Sequence, residues 1–227
     1  MSKVKVVSGY VQLPTKQLTV AQFKALGARL VDAVAPFPIR VFDDFPLYQC
    51  WLTFDIRKYG VVRATCPSPP KDRFVHPYHM VLSNVVLLQK AEWVSTAAAE
   101  DPEAEQFVYL DYGIFKQSGV NALAIQDFLY KVKVEPHDAV SLPGIWEKRP
   151  VENEGAPHWR FAGSTLVIPR KFIKPLLTAI KAVVRLRLEL TGEVPWDMNT
   201  LAHVEMLNVV PIRWYPGNHD ASQFTGY

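Results

Sequence analysis

A single α/β domain with a mixed, mainly parallel central sheet flanked by helices is the fold that this sequence predicts. Three observations carry it. The chain opens with a strand, a capped helix and a second strand at the spacing of a βαβ unit, which pairs its strands in parallel. A central apolar run, QFVYL from Gln106 to Leu110, has the length and residue types of a buried strand and ends on a carboxylate, Asp111. A further strand pattern, His158 to Arg170, feeds a long helix from about Arg170 to Leu190.

In order, Val4 to Leu13 reads as the first strand, with Ser8-Gly9-Tyr10 inside it and a loop at Pro14. Thr19 followed three positions later by Gln22 is a capping box, flanked by Leu18 and Phe23 as a hydrophobic staple. The helix that follows should bury Val20, Phe23, Leu26, Leu30, Val31 and Val34 and stop before Pro36 and Pro38. Pro38 to Phe45 reads as the second strand, closing on Asp43 and Asp44. Tyr48 to Tyr59 fits a helix or a strand, and the loop from Pro67 to Pro77 carries Lys71, Arg73 and His76. Met80 to Glu100 reads as one apolar helix lying on the sheet.

Beyond Asp111, Val120 to Val132 has helical spacing, and His137 to Trp146 reads as a strand and turn. Lys148 to Pro157 is polar, contains glycine and proline, and is the segment expected to be mobile. His158 to Arg170 reads as a strand with a small-residue bend at Ala162-Gly163-Ser164. Pro175 is tolerable in the next helix because it lies near the first turn, and Gly192 stops that helix. Asp197 should cap a short helix through His203 and Met206, IRWYP should form a last strand, and the tail carries His219 and Asp220.

Composition bounds the function. The chain has 227 residues, 49% hydrophobic and 21% charged, enough to bury a substantial core, so disorder is a poor description. The two cysteines, Cys50 and Cys66, form no C-x-x-C and suggest neither a disulfide framework nor structural zinc. A reducing cytosol fits this usage. The N-terminus lacks the apolar run of a signal peptide, and no run approaches the roughly 18 uncharged residues of a membrane span, so a soluble cytoplasmic protein is expected. A net charge of +3 is too small to imply nucleic-acid binding. There is no P-loop, dinucleotide fingerprint or G-x-S-x-G elbow. The pair His76 and His79 lacks the helical spacing of a zinc protease.

The polar groups left over lie beside element ends. Asp111 is a ligand-facing acid or a loop cap, because ligands of such sheets gather at the carboxyl ends of strands. Asp111 and His219 are a ligand set suited to a hard divalent cation bridging two phosphates, an ion that keeps waters and takes other ligands from its substrate. Asp197 with Asn199 is a further polar group; Asp197 has a plain reading as an N-cap, and His219 as a surface residue of the tail. Lys171, Lys174, Lys181, Arg185 and Arg187 make the long helix basic, either as a solvated face or as a stripe for phosphates.

With these residues in place, the chain resembles small bacterial and phage glycosyltransferases of the GT-A fold, and most closely the HtrL/WlaTC-like group. The stretches that carry the resemblance are VSGYVQL, QFVYLDYGIF, RFAGSTLVIPRK, WDMNTLAHVE and WYPGNHDASQF, in the family order along most of the chain. It implies one Rossmann-like domain over residues 1–227, with a donor-nucleotide half at about 1–115 and an acceptor half with the tail at about 116–227. It implies transfer of a sugar from a nucleotide-sugar to a hydroxyl of a glycan or of a modified base in phage DNA. Ser8, Gly9, Tyr10, Asp111, Tyr112 and Gly113 would face the donor, and Asp111 and His219 would hold Mn²⁺ or Mg²⁺. Asp197 and Asn199 would be catalytic, and Gly163, Ser164 and Trp196 would lie toward the acceptor. One departure is plain: where the wider superfamily has Asp-x-Asp, this chain has Asp111-Tyr112-Gly113. The competing expectation is a non-catalytic module that grips nucleic acid or another polyanion through the basic helix at 170–187.

Overall fold

The computed structural model describes residues 3–11, 13, 19–43, 45–59, 63–64 and 77–227, with side chains described for all of these except 54, 55, 57, 59 and 77–80. Pro14, Leu18, Asp44, Lys71, Arg73, His76 and the side chain of His79 therefore lie outside the described residues.

Strand β1 (Val4–Gly9) lies between β2 (Ile39–Phe42) and β4 (Gln106–Leu110), parallel to both. Next to β4 comes β6 (Thr165–Pro169), antiparallel to it. Then come β5 (Val140–Gly144), antiparallel to β6, and β8 (Ile212–Pro216), parallel to β5. In the order β2-β1-β4-β6-β5-β8, β6 alone runs against the others, so the expected mixed, mainly parallel sheet is what forms. One consequence positions everything that follows. The carboxyl ends of β1, β4, β5 and β8 and the amino end of β6 share one edge of the sheet, which gathers Tyr10, Asp111, Gly163 and His219 there although they are far apart in sequence. A second, two-stranded parallel sheet joins β3 (Arg63–Ala64) to β7 (Glu193–Val194).

Successive side chains of a strand point to opposite faces, and both faces of this sheet are covered. Phe107 and Tyr109 of β4 pack with Leu166 and Ile168 under α4 (Lys90–Glu100) and α6 (Arg170–Thr191). Val108 and Leu110 pack on the other face with Leu30 and Val34 of α1 (Val20–Val34) and Phe128 and Leu129 of α5 (Ala122–Val134).

Local signals set the helix ends. Thr19 and Gln22 form the full capping box at the start of α1, and Asn121 caps α5 by accepting from Ala124 N. Gly192 ends α6 in the left-handed region at φ 66°. The buried face of α1 is Phe23, Gly27, Leu30, Ala33 and Val34, while Val20 and Val31, expected inside, are 41% and 43% exposed. The face is rotated because Tyr112 packs on Gly27, where a Cβ would meet its hydroxyl at 1.9 Å. Trp51–Tyr59 is helical (α2).

The expected single helix at Met80–Glu100 is two, α3 (Pro77–Leu88) and α4, broken at Gln89. Gln89 N bonds Val86 O in a tighter turn, and the Gln89 side chain accepts from Trp51 N. The break makes Lys90 the first residue of α4. No helix among the described residues is long and apolar enough to cross a membrane.

Candidate active site

Lys90 is the hub of the carboxyl edge. It is 7% exposed, and its ammonium donates to Gly163 O (2.5 Å) and Asp197 Oδ2 (3.0 Å) and lies 3.3 Å from Asp111 Oδ1. Burial pushes the Lys90 pKa down, but Asp111 and Asp197 outweigh it and leave the pKa raised, so the charge is kept. The buried Tyr109 hydroxyl also hydrogen-bonds Asp111. Burial, and then that carboxylate, hold the phenol well above its usual range. Asp111 keeps a side chain 32% exposed and lines a cavity of about 180 Å³.

That cavity is aromatic. Gly9, Tyr10, Tyr112 and Gly113, which the resemblance placed toward a donor, all border it, together with Phe23 and Lys116. Tyr10 stacks on Phe23 with ring centroids 4.2 Å apart and on Tyr112 at 5.4 Å, and the Lys116 ammonium lies 4.9 Å from the Phe23 ring. The three rings are 4–6% exposed and pack on one another, so a ligand in the cavity would meet their edges, and an anionic group would meet Lys90 and Lys116. Ser8 is not part of it. Its fully buried hydroxyl donates to Leu110 O at 2.7 Å and ties β1 to β4.

Asp197 is the first residue of α7 (Asp197–Leu207) rather than its N-cap; Trp196 stands at the N-cap position and its side chain makes no capping bond. The Asp197 carboxylate instead holds Lys90 and accepts from Met198 N, at 6% exposure. Gly163 is required here: a Cβ would stand 2.6 Å from Asp197 Oδ2. Trp196 is partly exposed.

Asn199 does not reach the cluster. It is fully buried, accepts from His158 N (2.8 Å) and donates to Ala156 O (3.0 Å), pinning the segment between β5 and β6. The same segment is held by Glu154 on His203 (2.5 Å) and by a buried fork, Arg160 to Glu205 at 2.9 and 2.7 Å. Side chains thus tie the stretch expected to be mobile, Lys148 to Pro157, to α7. Ser164 also faces inward, donating to Gln223 Oε1 at 2.8 Å. That bond, one from Thr165 to the same oxygen, and the Ser118–Asp220 bridge seat the C-terminal tail across the carboxyl edge.

The tail brings in His219. Its place just after β8 puts it at the carboxyl edge, where burial lowers its pKa and the charges of Asp111, Lys90 and Asp197 also act on it. Its ring meets Trp159 edge-on at 5.4 Å. Among the described residues no three His, Cys, Asp or Glu side chains are grouped to hold a metal ion. Asp111 and His219 would thus be the protein's two ligands. Two carboxylates against one ammonium leave the cluster one net negative charge, and a diphosphate settling there requires an added cation. With the Lys90 ammonium already 3.3 Å from Asp111, a divalent ion would have to draw most of its ligands from the substrate and water.

The basic helix α6 is largely charge-paired. Lys171 meets Asp138 (2.5 Å), Lys181 meets Glu92 (2.8 Å) and Arg187 meets Glu193 (3.1 Å). This favours the solvated-face reading of its cations over a phosphate stripe.

Sequence reasoning missed Lys90, Gln223 and the Arg160–Glu205 fork. A signal for Lys90 was present: Gln89 and Lys90 interrupt the apolar stretch from Val81 to Val94.

No family model matches the chain, and no curated protein matches it. Among solved structures, one similar in fold is a glycosyltransferase involved in the glycosylation of the major capsid of PBCV-1. Its TM-score is 0.50 at 10% identity, covering 94% of this chain and 81% of that one. Another is a CMP:2-keto-3-deoxy-manno-octonic acid synthetase complexed with CTP, with a TM-score of 0.43 at 11% identity, covering 96% and 90%.

Proposed function

We propose that the protein transfers a sugar from a nucleotide-sugar to a hydroxyl acceptor. The observation that carries this reading is the junction of two features at one sheet edge: the Tyr10–Phe23–Tyr112 cavity and the Asp111–Lys90–Asp197 cluster that opens from it. The base and ribose of a donor occupy the aromatic cavity, and the diphosphate lies toward Asp111. The capsid-glycosylating neighbour supports the reading by analogy of fold, which by itself fixes no reaction.

In the reaction the bond from the anomeric carbon to the diphosphate breaks, the acceptor oxygen bonds that carbon, and the acceptor proton leaves to a base. Asp111 and His219 would hold a divalent ion, Mn²⁺ or Mg²⁺, which when bound would supply charge neutralisation on the departing diphosphate. Lys90 fixes Asp111 and Asp197 and stays protonated through the cycle. Asp197 has a positioning role, because its carboxylate is nearly buried and committed to Lys90 and Met198 N. Gly163 holds Lys90 through its carbonyl; of the other residues expected toward the acceptor, Trp196 is left partly exposed while the Ser164 hydroxyl is spent on Gln223.

Incubation with UDP- and GDP-sugars and Mn²⁺ or Mg²⁺ should release nucleotide from at least one donor by slow hydrolysis. Inertness toward every donor, together with no nucleotide binding by calorimetry, would refute the proposal.

A further inference from the structure

Trp159 is the partly exposed member of an otherwise buried triplet. His158 and Arg160 on either side are 5% and 6% exposed and pinned to α7, the first by Asn199 and the second by Glu205. Its own carbonyl accepts from both Ile145 N (3.1 Å) and Trp146 N (2.9 Å), so the backbone that carries the indole is fixed before any ligand arrives. The ring stands against His219, and no lining residue of the donor cavity comes from its segment. Trp159 thus stands at the same sheet edge as the cluster, between the ends of β5 and β8, and apart from the Tyr10 stack.

We infer that Trp159 is the platform on which a neutral saccharide acceptor stacks; this rests on the transferase reading above. The weakly positive axial C–H face of a pyranose matches the negative face of an indole, and a ring carried on a fixed backbone loses less freedom on binding. Local charge decides between a saccharide and a nucleic-acid acceptor. Glu147, Glu152 and Glu154 outnumber Lys148 and Arg149 along this segment, Asp220 follows His219, and Arg160 is neutralised by Glu205. Arg149 lies over the Trp146 ring at 3.7 Å. Such a surface releases few counterions from a phosphate backbone, whereas a neutral sugar needs none released.

Saturation-transfer NMR with neutral gluco-, galacto- and manno-configured di- and trisaccharides, in the presence of UDP or GDP, tests the platform. At least one saccharide should bind wild type, and Trp159→Ala should weaken it about tenfold or more, the size of a lost aromatic anchor. Trp159→Phe should recover most of that affinity, and in transfer assays the alanine variant should raise the acceptor KM more than it lowers kcat. Circular dichroism establishes that both variants are folded. Equal saccharide binding by Trp159→Ala, or no saccharide binding by nucleotide-bound wild type, would overturn the inference. So would preferential binding of a short single-stranded oligonucleotide at this ring. Failure of wild type to bind any nucleotide would instead strike the transferase reading, with saccharide binding still reporting on Trp159.

Discussion

Lys90→Met is expected to destabilise the protein by ~3–5 kcal/mol and to abolish donor binding, because it removes the one cation from between two carboxylates. Asp197, 6% exposed, would be left as a buried anion facing Asp111, and Gly163 O would lose its donor. Urea denaturation measures the loss. Lys90→Met combined with Asp197→Asn should recover part of it, since the second change removes the stranded charge. Recovery of stability without recovery of nucleotide affinity would separate the electrostatic role of Lys90 from its role in the site. The pH sign follows from the raised pKa of Lys90. Its contribution is complete below the unperturbed value of 10.5 and fades only as pH climbs through the raised folded value. The stabilisation that Lys90 gives is therefore constant across the neutral range.

The second large effect is expected at Glu205. Glu205→Leu strands the Arg160 guanidinium in a site where each side chain is 7% exposed, at a cost of ~3–5 kcal/mol. Arg160→Met together with Glu205→Leu should restore much of that stability, because replacing both buried charges by apolar groups avoids their desolvation. Arg160 also donates to Trp146 O and lies over the Trp214 ring at 5.1 Å. Hydrogen exchange should therefore show residues 145–160 loosening in Glu205→Leu ahead of the central strands. Unchanged protection there would mean that Asn199 and Glu154 suffice to hold the segment.

What the sequence made legible was local. The capping box at Thr19, the apolar run into Asp111 and Gly192 at the end of α6 are each written within a few residues, and these signals placed the parallel core correctly. The two-fold break at Gln89 was not legible, because Gln-Lys is no helix breaker; a tight turn and the bond to Trp51 N make it. The site cluster was half legible. Asp111 stands at a strand end and could be read from that position, whereas Tyr10, Tyr112 and Gly113 were singled out only through the resemblance. The partner that joins Asp111 to Asp197 could not be read, since Lys90 and Asp197 are 107 residues apart and meet only when α4 and α7 converge on one edge. Ser8, Ser164 and Asn199 looked available for ligands because they are small and polar near loops. Their hydrogen bonds are instead spent inside the protein, on Leu110 O, Gln223 and the segment Ala156–His158.

The most direct test of the donor site is a crystal structure of the protein with a nucleoside diphosphate and Mn²⁺. The expected result is a base against the edges of Tyr10, Phe23 and Tyr112, with the diphosphate and metal at Asp111 and His219 beside Lys90. A nucleotide bound along α6, or in any hollow away from Asp111, would contradict the site and the function built on it.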